Sequence, residues 1–174
     1  MNIKTLLFAA AVAACLNGCA QPSNKSENTM DNNKKTLVAY FSATGTTKRA
    51  AEQLAQELGA DLYAITPALP YSDADLDWRD KQSRSTLEMN DKSSRPEVQG
   101  KIDNLADYDT IWIGFPVWWY TAPTIINTFI EKHDFTGKVL CVFATSGGSS
   151  VEGSANDLKK AYPHYKWGES RLLN

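Results

Sequence analysis

The chain has 174 residues, 22% of them charged, 43% hydrophobic and 10% aromatic, with a formal net charge of -2. That length and apolar content support one domain with a real core, and the near-neutral charge argues against a general nucleic-acid-binding surface. Ten Gly, seven Pro and three Cys exclude a collagen-like chain, a low-complexity chain and a disulfide framework.

The first residues read as a leader. Lys4 gives a positive start, and Leu6 to Leu16 is an unbroken apolar run. As a helix that run reaches about half way across a bilayer core, so it reads as the hydrophobic part of a secretory signal, not as a transmembrane helix. It closes on Leu16-Asn17-Gly18-Cys19, which resembles the bacterial lipobox. The resemblance implies a lipoprotein signal peptide over residues 1–18, cleavage after Gly18 and lipidation of Cys19. Ala20, in place of Asp, implies the outer rather than the inner membrane, with the protein on the periplasmic side of a bacterial cell envelope. The alternatives are an ordinary signal peptide, or an apolar helix packed into the domain. Residues 19–35 are polar and read as a tether, so the membrane would be met through the lipid anchor only. Cys141 is then the one thiol of the mature domain, and it falls in an apolar run that reads as a buried strand.

Thr36 to Phe41 is a short apolar run, read as a strand. From Thr46 the period changes, and Ala50, Ala51, Leu54, Ala55 and Leu58 share one helical face, with Lys48, Arg49, Glu52 and Glu57 opposite. Gly59 stops that helix. Strands follow over residues 61–66, 110–115, 138–145 and 165–173. Helices follow over residues 122–132, with Pro123 near its first position, and 150–162. Apolar strands separated by amphipathic helices mean a parallel sheet covered on both faces. Between Pro70 and Leu105 the period is lost, and the mixed charges there read as a solvated surface loop.

Three loops at strand ends carry the candidate chemistry. Ser42-Ala43-Thr44-Gly45-Thr46-Thr47 sits between the first strand and the first helix, where N–H groups and the helix dipole favour an anion. No GxxxxGK[ST] pattern is present, so the cradle suits a phosphate monoester and not a nucleoside triphosphate. The plainer alternative is a helix capped by Thr46. Pro116-Val117-Trp118-Trp119-Tyr120 follows the third strand. Three successive aromatics there cannot all turn inward, so at least one offers a flat surface to a ligand, unless the two Trp simply wedge under the next helix. Thr145-Ser146-Gly147-Gly148 follows the fourth strand, with glycines that admit close backbone contact; the alternative is a flexible turn. Ligands of open α/β sheets bind at such carboxyl ends. An anion cradle, an aromatic plane and a polar edge together describe a mononucleotide with a large planar ring.

The first loop resembles the flavodoxin phosphate signature, Ser/Thr-x-Thr-Gly-x-Thr, at every position. The other two loops resemble the flavin-ring loops of bacterial flavodoxin-like proteins. Asp75-Leu-Asp-Trp78, Ser83-Arg-Ser85 and Glu88-Met-Asn-Asp91 resemble the long insertion, after the second strand, of one branch of that family. The resemblance covers residues 36–174. It implies an α/β flavodoxin-like fold, a doubly wound parallel five-stranded sheet of order 2-1-3-4-5, and bound FMN. The phosphate would lie on residues 42–47, Trp118 or Trp119 against the ring, and residues 145–149 near its other edge. The family's usual final helix is missing here, because the sequence stops at Asn174 where that helix would begin, and one sheet face is expected to be under-covered.

The implied function is electron transfer by a lipid-anchored flavoprotein, with a redox partner protein or a small quinone-like acceptor and no nucleic acid. One alternative is an FMN-dependent NAD(P)H:quinone or nitro reductase; another is a flavin-free surface binding module using the Trp pair. No residue stands out as a catalytic acid or base. His133, read as a cation at a helix C-terminus, and His164 lack metal-ligand neighbours, so no metal is expected.

Overall fold

The apolar runs at residues 37–40, 111–115 and 139–144 form the three central strands of a sheet, buried on both faces. A computed structural model describes residues 35–174, so the expected signal peptide, Cys19 and the expected tether up to residue 34 lie outside the described residues. The strands are β1 (Lys35–Tyr40), β2 (Asp61–Ala64), β3 (Tyr108–Pro116), β4 (Val139–Thr145) and β5 (Lys166–Leu172). All pairings are parallel and the order is β2-β1-β3-β4-β5, as the resemblance implies. The helices are α1 (Thr46–Leu58), α2 (Arg84–Asn90), α3 (Thr124–Glu131) and α4 (Glu152–Ala161). None among the described residues is long and apolar enough to cross a membrane.

Strand alternation sorts the core into two layers. Leu37, Ala39, Phe41, Ile111, Ile113, Phe115, Leu140 and Val142 point to the side that α3, α4 and the segment around Val98 and Ile102 cover. Val38, Trp112, Cys141 and Phe143 point to α1, whose Ala50, Ala51, Leu54 and Ala55 meet them. Gly114 is required here, because the Phe143 ring occupies the place of its Cβ, at 1.9 Å. One sheet face was expected to be under-covered, yet on the α1 side Trp112, Cys141 and Phe143 are all buried. Leu173 joins their cluster and the Arg171 guanidinium lies 4.9 Å over the Trp112 ring.

Residues 70–105 also depart from the expected solvated loop. Ser83, 4% exposed, caps α2 by accepting from the Thr86 N–H (3.3 Å), and Ser85, Thr86 and Val98 are buried. The helix escapes periodicity because Arg84–Asn90 is short and polar, and its Leu87 faces solvent. α3 begins two residues later than expected, with Pro123 as its N-cap.

Candidate functional site

The sheet order reverses between β1 and β3, so the loops leaving those strands diverge and open a cleft at their carboxyl ends. Beyond β1 the chain turns through Ser42–Gly45 into α1. Gly45 is the N-cap at φ 88°, a left-handed conformation that glycine adopts without penalty, and its N–H donates to Ser42 Oγ (3.1 Å). No side chain caps α1 and no acidic residue stands in its first turn. The N–H groups of Thr46 and Thr47 therefore lack intrahelical partners at the positive end of the dipole. Arg49, placed on a solvated helix face by periodicity, reaches back over this turn. Its Nη1 lies 3.8 Å from the position of a Cβ on Gly45, and Nη2 makes a long contact to Thr46 Oγ1 (3.4 Å). The cradle thus has a cation that sequence reading missed.

Thr47 and Thr145 are both buried, and their hydroxyls share a hydrogen bond of 2.8 Å. They face each other inside the fold and tie the start of α1 to the end of β4.

After Pro116, the Val117 N–H donates to Thr145 O (2.9 Å), and Trp118 and Thr121 exchange backbone hydrogen bonds of 3.0 Å. Trp119 (φ 45°) and Tyr120 (φ 65°) form the tip, both left-handed. Such two-residue turns favour Asn-Gly, and side chains there cost about 1–2 kcal/mol each. The three aromatics part company: Trp118 is half-buried edge-on to Phe41 and Tyr71 (5.6 Å each), while Trp119 is 41% and Tyr120 80% exposed.

The loop after β4 is held by Ser146, whose Oγ accepts from the N–H groups of Gly148 (3.2 Å) and Ser149 (2.7 Å). The Ser146 N–H donates to Asn174 Oδ1 (3.0 Å). Nothing approaches the Cβ positions of Gly147 and Gly148, so that loop stays open.

Thr44, Pro116, Val117, Trp118, Trp119 and Tyr120 line a cleft of about 430 Å³, whose other walls come from Ser149 and from Leu76, Trp78 and Ser85 of the insertion. The sequence showed those three only as members of the insertion's motifs, and the fold of the insertion brings them here. Tyr71 braces that contact from below. Arg84 stacks 4.0 Å over its ring and pairs with Glu88 (2.7 Å), and Glu88 accepts from the Tyr71 hydroxyl. Burial and the adjacent Glu88 push the Tyr71 phenol well above its ordinary value, so it stays a donor. Ser85 is 2% exposed and its hydroxyl has no hydrogen-bond partner.

The residues fit FMN: an uncapped helix start with a cation for the phosphate, a flat aromatic wall, and a cleft of the size that small cofactors occupy. His133 takes no part. Its Nε2 accepts from the Ile102 N–H (3.1 Å) and its Nδ1–H donates to Phe129 O (2.9 Å), a pattern only the neutral ring can make. Burial lowers its pKa, which corrects the expected cation at a helix end.

Residues 35–174 match the model of a family described as Flavodoxin. Among solved structures, a protein of Bacteroides eggerthii assigned as a flavoprotein is 59% identical, with a TM-score of 0.80 over 81% of this chain and 89% of that one. A flavoprotein of Lactobacillus acidophilus in complex with FMN is 26% identical, with a TM-score of 0.67 over 80% of this chain and 93% of that one. An uncharacterised NAD(P)H oxidoreductase of Escherichia coli, YcaK, is 30% identical over 87 residues, 49% of this chain. The match spans 39% of that relative's length.

Proposed function

Because the chain belongs to the flavodoxin family, we propose that it binds FMN in the cleft between the β1 and β3 loops and carries electrons between redox partners. The observation that carries this reading is an uncapped α1 start that follows directly on Ala43 and Thr44, which line a cleft walled by braced aromatics. The FMN-bound Lactobacillus relative supports it. When bound, FMN supplies reversible uptake of electrons at its ring. The protein's own part is to hold and tune. The N–H groups of Thr46 and Thr47, with Arg49, hold the phosphate. Trp118, wedged on Tyr71, keeps the wall rigid, and Trp119 and Tyr120 exclude water from one side. The ring end of the cleft has no cation among its lining residues, which disfavours negative charge on a reduced ring and points to a low potential.

The reading extends to location: the leader and Cys19 support a lipid-anchored protein on the periplasmic side of the envelope, passing electrons to a redox protein or a small quinone-like acceptor. A Cys19→Ser change should release it from the membrane fraction. The Escherichia relative supports a second reading, an FMN-dependent NAD(P)H reductase.

Purified protein titrated with FMN and then reduced stepwise tests the main reading. Yellow protein with one FMN per chain, reducible by an external donor, is expected. Protein that takes up no FMN overturns it and leaves a flavin-free binding module. NADPH consumption with a quinone, lost on Trp119→Ala, selects the reductase.

A further inference from the structure

Behind the Trp119–Tyr120 turn lies a second cavity, of about 710 Å³, which the flavin reading does not use. Trp119 and Tyr120 bound both spaces. The second lies among α3, α4 and the end of the insertion, and its floor is a built network. Arg95 donates to both oxygens of Glu131 (2.7 and 2.9 Å), Tyr162 donates to the same carboxylate (2.7 Å), and Asn127 donates to Tyr162 (3.0 Å). Arg95 is thereby neutralised, and the Tyr162 phenol, pushed up to about 12 by burial and by Glu131, remains a donor.

The cavity has cations left over. Lys92 and Lys160 line it, and among the described residues neither side chain has an ion-pair or hydrogen-bond partner. This contrasts with Lys132 and Lys138, which donate to Val98 O and Tyr108 O. The one other carboxylate of the lining, Asp157, accepts from Thr121 Oγ1 (2.8 Å). Lys92, Arg95 and Lys160 against Glu131 and Asp157 leave one net positive charge. Thr124, 6% exposed, is part of the same wall, and its hydroxyl has no partner. Buried hydroxyls are ordinarily hydrogen-bonded, so this one has donor and acceptor capacity to spare. Met89, Leu158 and Trp119 supply apolar surface. Apolar and aromatic walls with one uncompensated positive charge match a flat apolar molecule bearing a single negative group.

We propose that the second cavity binds an aromatic monoanion, a carboxylate or sulfonate on a flat ring system, while the first cleft holds FMN. The simultaneous occupancy rests on the flavin reading; the second site does not. Calorimetric titration of FMN-saturated protein with 2-naphthoate, beside neutral 2-naphthalenemethanol, tests it. One naphthoate per chain is expected, with the alcohol bound at least about tenfold more weakly. A Lys92→Glu, Lys160→Glu variant should weaken naphthoate by about tenfold or more with FMN affinity and unfolding temperature retained. Absence of binding, naphthoate displaced by FMN, or binding indifferent to the charge reversal overturns the proposal. If the protein takes up no FMN, the same titration without it still decides: naphthoate binding lost in the variant keeps the second site, and only the flavin reading falls.

Discussion

Arg49 shows how one side chain can stand on a solvated helix face by periodicity and over the cradle in space. At one turn into α1 it sits where i, i+4 geometry returns it to Gly45, and its guanidinium contacts that turn. Arg49→Ala should weaken FMN about tenfold and leave riboflavin unchanged, since only the phosphate is touched; parallel titrations of both flavins check this. Gly45 acts through the backbone. An Ala methyl there meets only the Arg49 guanidinium at ordinary contact distance but must hold φ 88°, which costs about 1–2 kcal/mol. Gly45→Ala should lower the unfolding temperature and FMN affinity together. Gly114 is the reverse case, with ordinary backbone and no space. A methyl there collides with the Phe143 ring, and thermal unfolding of Gly114→Ala should show a loss of about 1–3 kcal/mol or more from forced repacking.

At the scale of elements, the insertion serves as a brace. Tyr71 touches both Phe41 at the end of β1 and Trp118 at the end of β3, so one ring spans the point where strand order reverses. Tyr71→Phe keeps that ring and removes only the bond to Glu88. It should cost about 1 kcal/mol and leave FMN affinity intact, whereas Tyr71→Ala should lower both stability and affinity. Denaturant unfolding and FMN titration of the pair separate ring from hydroxyl. The strands were legible from sequence because parallel strands buried on both faces read as continuous apolar runs, as Ile111–Phe115 and Leu140–Ala144 do. α1 was legible from its alanine and leucine stripe. α2 was not, since Arg84–Asn90 has no apolar stripe and gains its place from Arg84, Glu88 and the Ser83 cap. The cradle and the aromatic turn were visible as local patterns. Leu76, Trp78 and Ser85 were visible only as members of the insertion's motifs, because their place in the cleft comes from tertiary folding.

Over the whole molecule, pH and ligand act through ties between distant segments. His133 joins Ile102, ahead of β3, to the end of α3 as a neutral ring. Its folded pKa lies below its unfolded value, so its stabilising contribution is present above the unfolded value of about 6.5 and is lost as pH falls through the folded one. Thermal unfolding should ease as pH falls below about 6.5, and a His133→Gln variant should show a flatter profile there. Thr47 and Thr145 make the second tie, a buried hydroxyl–hydroxyl hydrogen bond between residues 98 positions apart along the chain. The two ends of the cleft therefore cannot relax independently, and ordering one lowers the entropy still to be lost at the other. Two halves of a single ligand become mutual effectors. Inorganic phosphate should tighten riboflavin, riboflavin should tighten phosphate by the same factor, and Thr47→Val should leave each fragment deaf to the other.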